Sequence, residues 1–274
     1  MRMDRRAGLL SVKKTLNAMT WAEIKTISAA GQATNYWAIG DRKNVTLNGS
    51  VNGVNFSNYS TYAFIIGFNH NSTYEGNKRT HFQLAKTALT GGLDICFVSS
   101  NYNTATQTTG FVMNTTRTNN GGWASSYMRN NICGTSKTSY SGTLIGAFPS
   151  DLRTALQSVT KYTDNVGGGS TEEASVTATT DYVFLLADYE VFGVATQVNP
   201  YEADKQAQYA YYAAGNSKIK YKHTDTTVAA IYFSRSPYCQ GTNSLAFKSV
   251  QANGNTGGNA YANTPKGIAP CFCV

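Results

Sequence analysis

The C-terminal part of the sequence, 231–274, most constrains what this chain can fold into. Apolar, strand-like runs open it at 231–233 and close it at 267–274. Between them lie small and amide residues, and no Asp or Glu occurs from Thr226 onward. Such a segment buries too little apolar surface to order itself, so we expect the flanking strands to fix it to a scaffold. Charge-poor loops on a rigid frame suit adaptable recognition better than catalysis.

The polar and aromatic side chains of this segment form the predicted ligand-binding surface. Tyrosine offers rigid contact area at low entropic cost, and amide side chains offer adaptable hydrogen bonds. A helix predicted at 201–214 adds Tyr211, because the packed face of that helix would hold Tyr201, Tyr209 and Tyr212 and leave Tyr211 exposed. The predicted binding residues are Tyr211, Tyr238, Gln240, Thr242, Asn243, Ser244, Lys248, Asn253, Asn255, Asn259, Tyr261 and Asn263.

The composition favours an all-β, extracellular or virion type of protein. Hydrophobic residues make up 41% of the chain, enough for a substantial core, but charged residues only 14%, against roughly a quarter in an average domain. The net charge of +8 is scattered, apart from a local excess of basic residues at 2–14. Because no basic stripe alternates with aromatic residues, we expect no specific nucleic-acid binding, and interpret 1–16 as an assembly-docking arm.

The five cysteines indicate buried, reduced thiols. They form no CxxC pair, and Cys271 and Cys273 should point to opposite faces of a strand. We expect no signal peptide, because no apolar h-region follows the N-terminal arginines, and no apolar run reaches about 20 residues. We therefore expect synthesis in a reducing bacterial cytoplasm and no membrane insertion.

Hydrophobic periodicity predicts an α+β fold of short strands and a few helices. A capping box, Thr20 with Glu23, starts the first helix, and Ser150 is expected to cap the helix at 148–159. The predicted helices are 20–30, 121–129, 148–159 and 201–214, and the predicted strands are 35–41, 44–47, 62–68, 80–85, 159–162, 181–186, 228–233 and 267–274.

The sequence predicts neither a cofactor nor a metal site. Of the three histidines only His70 and His81 are expected to approach each other, with Glu75 and Asp94 as the local carboxylates. Ordinary hydrogen bonding is favoured over metal ligation. Glu190 is expected to bind backbone near Gly193. A cell-wall glycan hydrolase, which would use paired carboxylates such as Glu190, stays the least favoured reading.

Short motifs form a series along the chain, at 37–40, 65–70, 121–129, 148–153, 159–161, 181–186, 190–193, 234–237 and 267–274. Their order and spacing resemble an uncharacterised domain family of gut bacteria and their phages. That family is thought to have a C-type-lectin-like fold, akin to formylglycine-generating enzymes and phage tropism determinants. The resemblance covers 33–274 and implies a fixed frame that presents variable C-terminal loops, some of them actively diversified in tropism determinants. Where relatives carry Trp-Trp-Leu-Arg-Ser-Pro, this chain has 232–237, and Arg235 is expected to pin loop carbonyls.

These observations predict a basic arm and short helix at 1–32 and a C-type-lectin-like domain at 33–274. The expected function is non-catalytic: a phage or prophage virion protein at the tail tip or on a fibre, binding a bacterial surface protein or glycan. It would contact other virion proteins and form a homo-oligomer. The alternative is a structural virion protein, such as a capsid decoration or tail collar subunit, whose loops contact other subunits.

Overall fold

The computed structural model describes residues 14–241 and 244–274. Its α-helices are α1 Trp21–Ala29, α2 Ser72–Glu75, α3 Gly122–Ser125, α4 Leu144–Ala147, α5 Ser150–Ala155, α6 Asp188–Phe192, α7 Glu202–Lys205 and α8 Ala210–Ala213. Its strands are β1 Arg42–Val51, β2 Val54–Phe68, β3 Thr80–Lys86, β4 Ile95–Cys96, β5 Val159–Asp164, β6 Val176–Asp181, β7 Val183–Phe184, β8 Lys220–Lys222, β9 Asp225–Ala230, β10 Tyr232–Pro237, β11 Ala246–Val250, β12 Gly258–Tyr261 and β13 Cys271–Cys273.

The largest sheet is antiparallel and has the strand order β1-β2-β3-β13-β7. Strand β13 lies between two partners, where Phe272 is opposite Phe82 of β3 and Val183 of β7. A second antiparallel sheet has the order β10-β11-β12, and a third has the order β4-β8-β9. Strands β5 and β6 form a hairpin. Strands and short helices are mixed along the chain, so the predicted α+β class is confirmed.

Helix α1 belongs to the same core as the largest sheet. Its predicted capping box is present, because the Thr20 side chain accepts from the Glu23 amide and the Glu23 carboxylate accepts from the Thr20 amide. Trp21 meets Phe82 and Phe272 edge-on, with ring centroids 5.4 and 5.8 Å away. Residues 1–13 of the predicted arm lie outside the described residues.

The predicted helices at 148–159 and 201–214 are wrong in length. Helix α5 ends at Ala155, and Pro149, not Ser150, is its N-cap. The second prediction splits into α7 and α8 because Gln206 is extended, with φ −118° and ψ 162°. There the Gln206 side chain donates to Tyr162 O at 2.8 Å, and the Tyr209 amide donates to Glu190 O at 3.0 Å. These long-range hydrogen bonds outweigh the local helical preference.

The prediction of one strand at 228–233 is also wrong, since Ile231 separates β9 from β10. Its amide donates to the Tyr102 hydroxyl at 2.8 Å and its carbonyl accepts from the Gly267 amide at 2.9 Å. Residues 35–41, predicted as a strand and turn, contain the turn but not the strand, and Asn35 ends a short 3₁₀ segment. The 121–129 helix is α3, followed by a π-helical turn at Met128–Cys133.

The C-terminal segment, predicted as loop between two strands, contains β11 and β12. Every residue of β11 is buried, so the alternation expected of a half-exposed strand is missing there. All five cysteines are free, four of them buried and Cys239 half-buried. Within the described residues, no helix has the length and apolarity needed to cross a membrane.

Candidate recognition surface

The β10-β11-β12 sheet places the two C-terminal loops at opposite ends. In an antiparallel meander successive connections lie at alternate ends. Ala246 of β11 is opposite Tyr261, whereas Ser249 is opposite Gly258. Loop 238–245 therefore lies beside Tyr261, at what we call the Tyr261 end, and loop 251–257 lies at the other, the Asn255 end. The structure divides the single predicted surface into two.

The loops of the Tyr261 end are held together by the buried side chain of Asn119. Its amide nitrogen donates to the carbonyls of Tyr238 at 3.1 Å and Ala246 at 2.7 Å, and its amide oxygen accepts from the Gly168 amide at 2.9 Å. Its backbone amide donates to Ser244 O at 2.6 Å. One buried polar residue thus fixes both ends of loop 238–245 and the glycine-rich loop beside it.

The exposed side chains at the Tyr261 end are aromatic, apolar and amide groups with one cation. Tyr261 is 45% exposed, and the guanidinium carbon of Arg117 lies 3.4 Å from the centroid of its ring. Leu245 and Gln240 are exposed beside them. The Gln240 side chain is held by donors from Gln197, at 2.8 Å, and from Tyr238. Such a mixture is typical of binding surfaces.

The Asn255 end presents Asn253 and Asn255, both exposed. The Asn253 side chain accepts from the Asn255 amide at 3.1 Å, which tightens the turn. The hydroxyl of Thr256 donates to the Asp188 carboxylate at 3.4 Å and ties this loop to α6. Asn259, exposed on the edge strand β12, lies between the two ends.

Four predicted binding residues are buried, so the expectation that they face a ligand is wrong. Tyr238 and Lys248 pack on each other on the inner side of loop 238–245, with the ammonium 5.8 Å from the ring centroid. Asn263 is buried beneath the segment 97–114, where its carbonyl accepts from the Gln107 amide at 2.8 Å. Tyr211 packs on Phe64, with ring centroids 4.9 Å apart.

Five of the predicted residues are exposed on this sheet: Gln240, Asn253, Asn255, Asn259 and Tyr261. Ser244 is half-buried, and Thr242 and Asn243 lie outside the described residues. The predictions missed Arg117, Asn119 and Gln197, which come from other loops. The only sequence signal for the first two was the unusual length of the polar loop at 99–120.

A buried ionic cluster beneath β10 supports the frame. Arg235 is fully buried and binds Glu190 with two donors, at 2.5 and 3.0 Å, while it also donates to Leu185 O at 2.9 Å and Tyr162 O at 3.3 Å. The predicted contact of Arg235 with loop carbonyls is confirmed for Leu185, between β7 and α6, whereas Tyr162 belongs to strand β5. Burial opposes ionisation of Glu190, but Arg235 and Lys161 overcome it and hold its pKa well below the usual range.

The environment predicted for Glu190 is wrong in one respect. Its carboxylate accepts from the amide of Ala187, at 2.9 Å, rather than from the backbone near Gly193. That contact caps the first turn of α6, whose orphan amides need acceptors. Glu190 is fully buried, and its carboxylate is paired with both Arg235 and Lys161.

Lys161 occupies the centre of the only described group of residues with metal-ligand geometry. Ligand atoms of His70, Glu75 and Glu190 lie within 4.8 Å of one another. The Lys161 ammonium, however, binds Glu75 at 2.6 Å and Glu190 at 3.0 Å. A divalent ion would have to displace this buried cation, so the cluster is suited to structure. The approach of His70 to His81 is confirmed, with ring centroids 5.7 Å apart.

Glu202, next to this cluster, makes stability pH-dependent. Burial raises its pKa from 4.5 to about 7, although Ser236 and the Asp164 amide bind the carboxylate. The folded chain therefore keeps a proton that the unfolded chain loses, and Glu202 lowers stability as pH rises from about 4.5 to 7. Relative to wild type, Glu202→Gln should gain about 3 kcal/mol in free energy of unfolding between pH 5 and 8, measured by urea denaturation.

His70 affects the stability in the opposite direction, because burial lowers its pKa to about 3. This contribution is the same in wild type and variant, so it cancels when one pH profile is subtracted from the other. Exposed Glu173 supplies the matched control, since Glu173→Gln should leave the pH profile unchanged. Parallel profiles for Glu202→Gln and wild type would contradict the assignment.

The structure thus defines an α+β protein with an exposed loop surface on a rigid frame. Residues 97–274 match the model of a family described as Domain of unknown function (DUF6273). Because this match covers more than half of the chain, the protein belongs to that family. The matched region includes both loop ends, Asn119 and Arg235, but not β1, β2 and β3. Neither the curated proteins nor the solved structures yield a match.

Proposed function

We propose that this chain is a non-catalytic receptor-binding protein of a phage or prophage virion, with a C-type-lectin-like fold. It would use the Tyr261 end to bind a protein or glycan of the bacterial surface, as part of a homo-oligomer at the tail tip or on a fibre. The observation that carries the proposal is the contrast between the exposed loop side chains and the buried groups that hold them. Gln240 and Leu245 are exposed on a loop whose two ends are bound by Asn119, which is fully buried. Exposed Tyr261 lies opposite Ala246, at one of those ends.

The preorganisation of the Tyr261 end supports a binding role more strongly than the exposure of its side chains does. Side chains that are already held in place lose little conformational entropy when they bind, so more of the contact energy appears as affinity. Loop 238–245 has both ends fixed by Asn119, and Tyr261 is stacked under Arg117. The aromatic and arginine pair is the type of group that contributes most at interfaces.

We expect Tyr261→Ala to weaken binding of the purified protein to cells of its host at least about tenfold, since a central aromatic contributes about 2 kcal/mol or more. Cell-bound protein is measured by flow cytometry with a fluorescent label. Asn255→Ala removes a side chain that is also exposed, at the opposite end of the sheet, and should leave binding unchanged. Equal loss in both variants, or in neither, would contradict the placement at the Tyr261 end.

A structural virion subunit is the second candidate, favoured by exposed apolar groups around the same end. Val166 is 55% exposed and Leu245 36% exposed. The Val166 carbonyl accepts from the Gly121 amide at 2.8 Å, and the carbonyl of Ser244, next to Leu245, accepts from the Asn119 amide at 2.6 Å. Exposed apolar side chains of this kind also suit subunit contacts. Loss of particle assembly in Leu245→Ser, with cell binding of the isolated protein intact, would support this candidate instead.

A further inference from the structure

A cleft on the far side of loop 99–110 carries a different set of groups. It has a volume of about 450 Å³, within the range of small-molecule sites. The β1–β2 turn supplies 53–55, the segment after β4 supplies 98–100 and Tyr102, and the turn after β8 supplies 222–224. None of these residues belongs to the Tyr261 end, so the cleft is independent of the proposed function.

His223 gives the cleft a donor with a fixed tautomer. The backbone amide of Val98 donates to its Nδ1 at 3.1 Å. Because a backbone N–H can only donate, Nδ1 must be the acceptor. The neutral ring therefore carries its hydrogen on Nε2. The ring packs against Tyr59 and Phe97, with centroids 5.4 and 5.5 Å away, and burial lowers its pKa to about 4. At neutral pH, His223 is thus a rigid, uncharged donor.

Lys222 adds a positive charge at the same cleft. Its ammonium lies 4.7 Å from the ring centroid of Tyr102, and the Tyr102 hydroxyl is fixed by the Ile231 amide at 2.8 Å. The described residues that line the cleft include no Asp or Glu. The nearest acid in sequence, Asp225, is exposed and accepts from the amide and the hydroxyl of Thr227 at 3.1 and 2.7 Å.

The cleft thus offers a cation and a fixed N–H donor, and no carboxylate lines it. This combination is suited to binding an oxyanion. Hydrogen bonds between charged partners are about twice as strong as neutral ones. Ser100 and Asn55, both exposed at the rim, offer further donors. We propose that this cleft binds a small molecule through a carboxylate or phosphate group, held by the Lys222 ammonium and the His223 Nε2–H.

The test follows the His223 ring by ¹⁵N NMR of the full chain at pH 7 and constant ionic strength. Acetate and inorganic phosphate are the probes, and acetamide is the neutral counterpart of acetate. We expect a saturable shift of the His223 resonance with at least one anion and none with acetamide. The stronger anion then distinguishes a carboxylate from a phosphate ligand. His70 and His81 are buried and serve as internal references.

Lys222→Gln should weaken the anion about tenfold or more, because it removes the charge and keeps a donor. Lys218→Gln is the matched control. Lys218 belongs to the same lysine-rich stretch, but its ammonium lies over Phe192 and Tyr212, outside the cleft. The proposal is overturned if neither anion gives a saturable shift, if acetamide binds as well as acetate, or if both variants bind like wild type.

Discussion

Arg235→Met is expected to lower the free energy of unfolding by about 3–5 kcal/mol, because it leaves a buried carboxylate without its main partner. Arg235 and Glu190 are both fully buried, and the guanidinium provides both hydrogen bonds of a bidentate pair. The carbonyls of Leu185 and Tyr162 lose donors as well. Urea denaturation monitored by tryptophan fluorescence measures the change.

Two further variants separate charge from packing. Arg117→Met alters an exposed arginine whose guanidinium lies over the Tyr261 ring and should cost about 1 kcal/mol or less. Arg235→Met combined with Glu190→Met removes both charges, and apolar replacement of a buried pair is often nearly neutral. The double variant should therefore recover part of the lost stability. If it is less stable than Arg235→Met alone, the unpaired charge is not the cause.

Gly122→Ala is expected to cost roughly 3 kcal/mol and to disturb the Tyr261 end. A Cβ at this position would lie 2.0 Å from Asp164 O, and the residue has φ +52°. Left-handed strain and overpacking each contribute about 1–3 kcal/mol. The Gly122 amide also donates to Asn119 O at 3.0 Å, so a shift of Gly122 moves the residue that fixes loop 238–245.

Gly142→Ala is the matched control for Gly122→Ala. Gly142 has φ +74° but no atom within 4 Å of its ideal Cβ, so the substitution adds only strain, about 1 kcal/mol. Denaturation midpoints give the stabilities, and the cell-binding measurement described for Tyr261→Ala reports the loop. Equal destabilisation by both substitutions would show that the close approach to Asp164 has no effect.

The sequence predicted correctly those helices and strands that are determined by residues close together in the chain. The Thr20 capping box and the apolar run at 62–68 gave α1 and the second half of β2. Long-range contacts decided the others. Gln206 and Ile231 interrupt a predicted helix and a predicted strand because their backbone or side-chain groups bind partners far away in sequence. No periodicity within a short window contains that information.

The candidate surface was predictable in composition but not in geometry. The amide-rich segment identified Gln240, Asn255 and Tyr261 as exposed residues. The sequence also predicted Lys248 and Tyr211 as surface residues, but both are buried. The division into two ends depends on the pairing of β11 with both neighbours. The five residues 246–250 include Lys248 and Ser249, so they do not stand out as a strand within an otherwise polar segment.

The buried strand β11 keeps the two loop ends apart. Its five residues span about 16 Å at the rise of an extended strand, beyond the roughly 10 Å over which substitutions usually interact. Changes in stability or binding caused by substitutions at Gln240 and at Asn255 should therefore add. The sequences of the two loops can then vary independently, and substitutions that improve one loop require no compensating substitutions in the other.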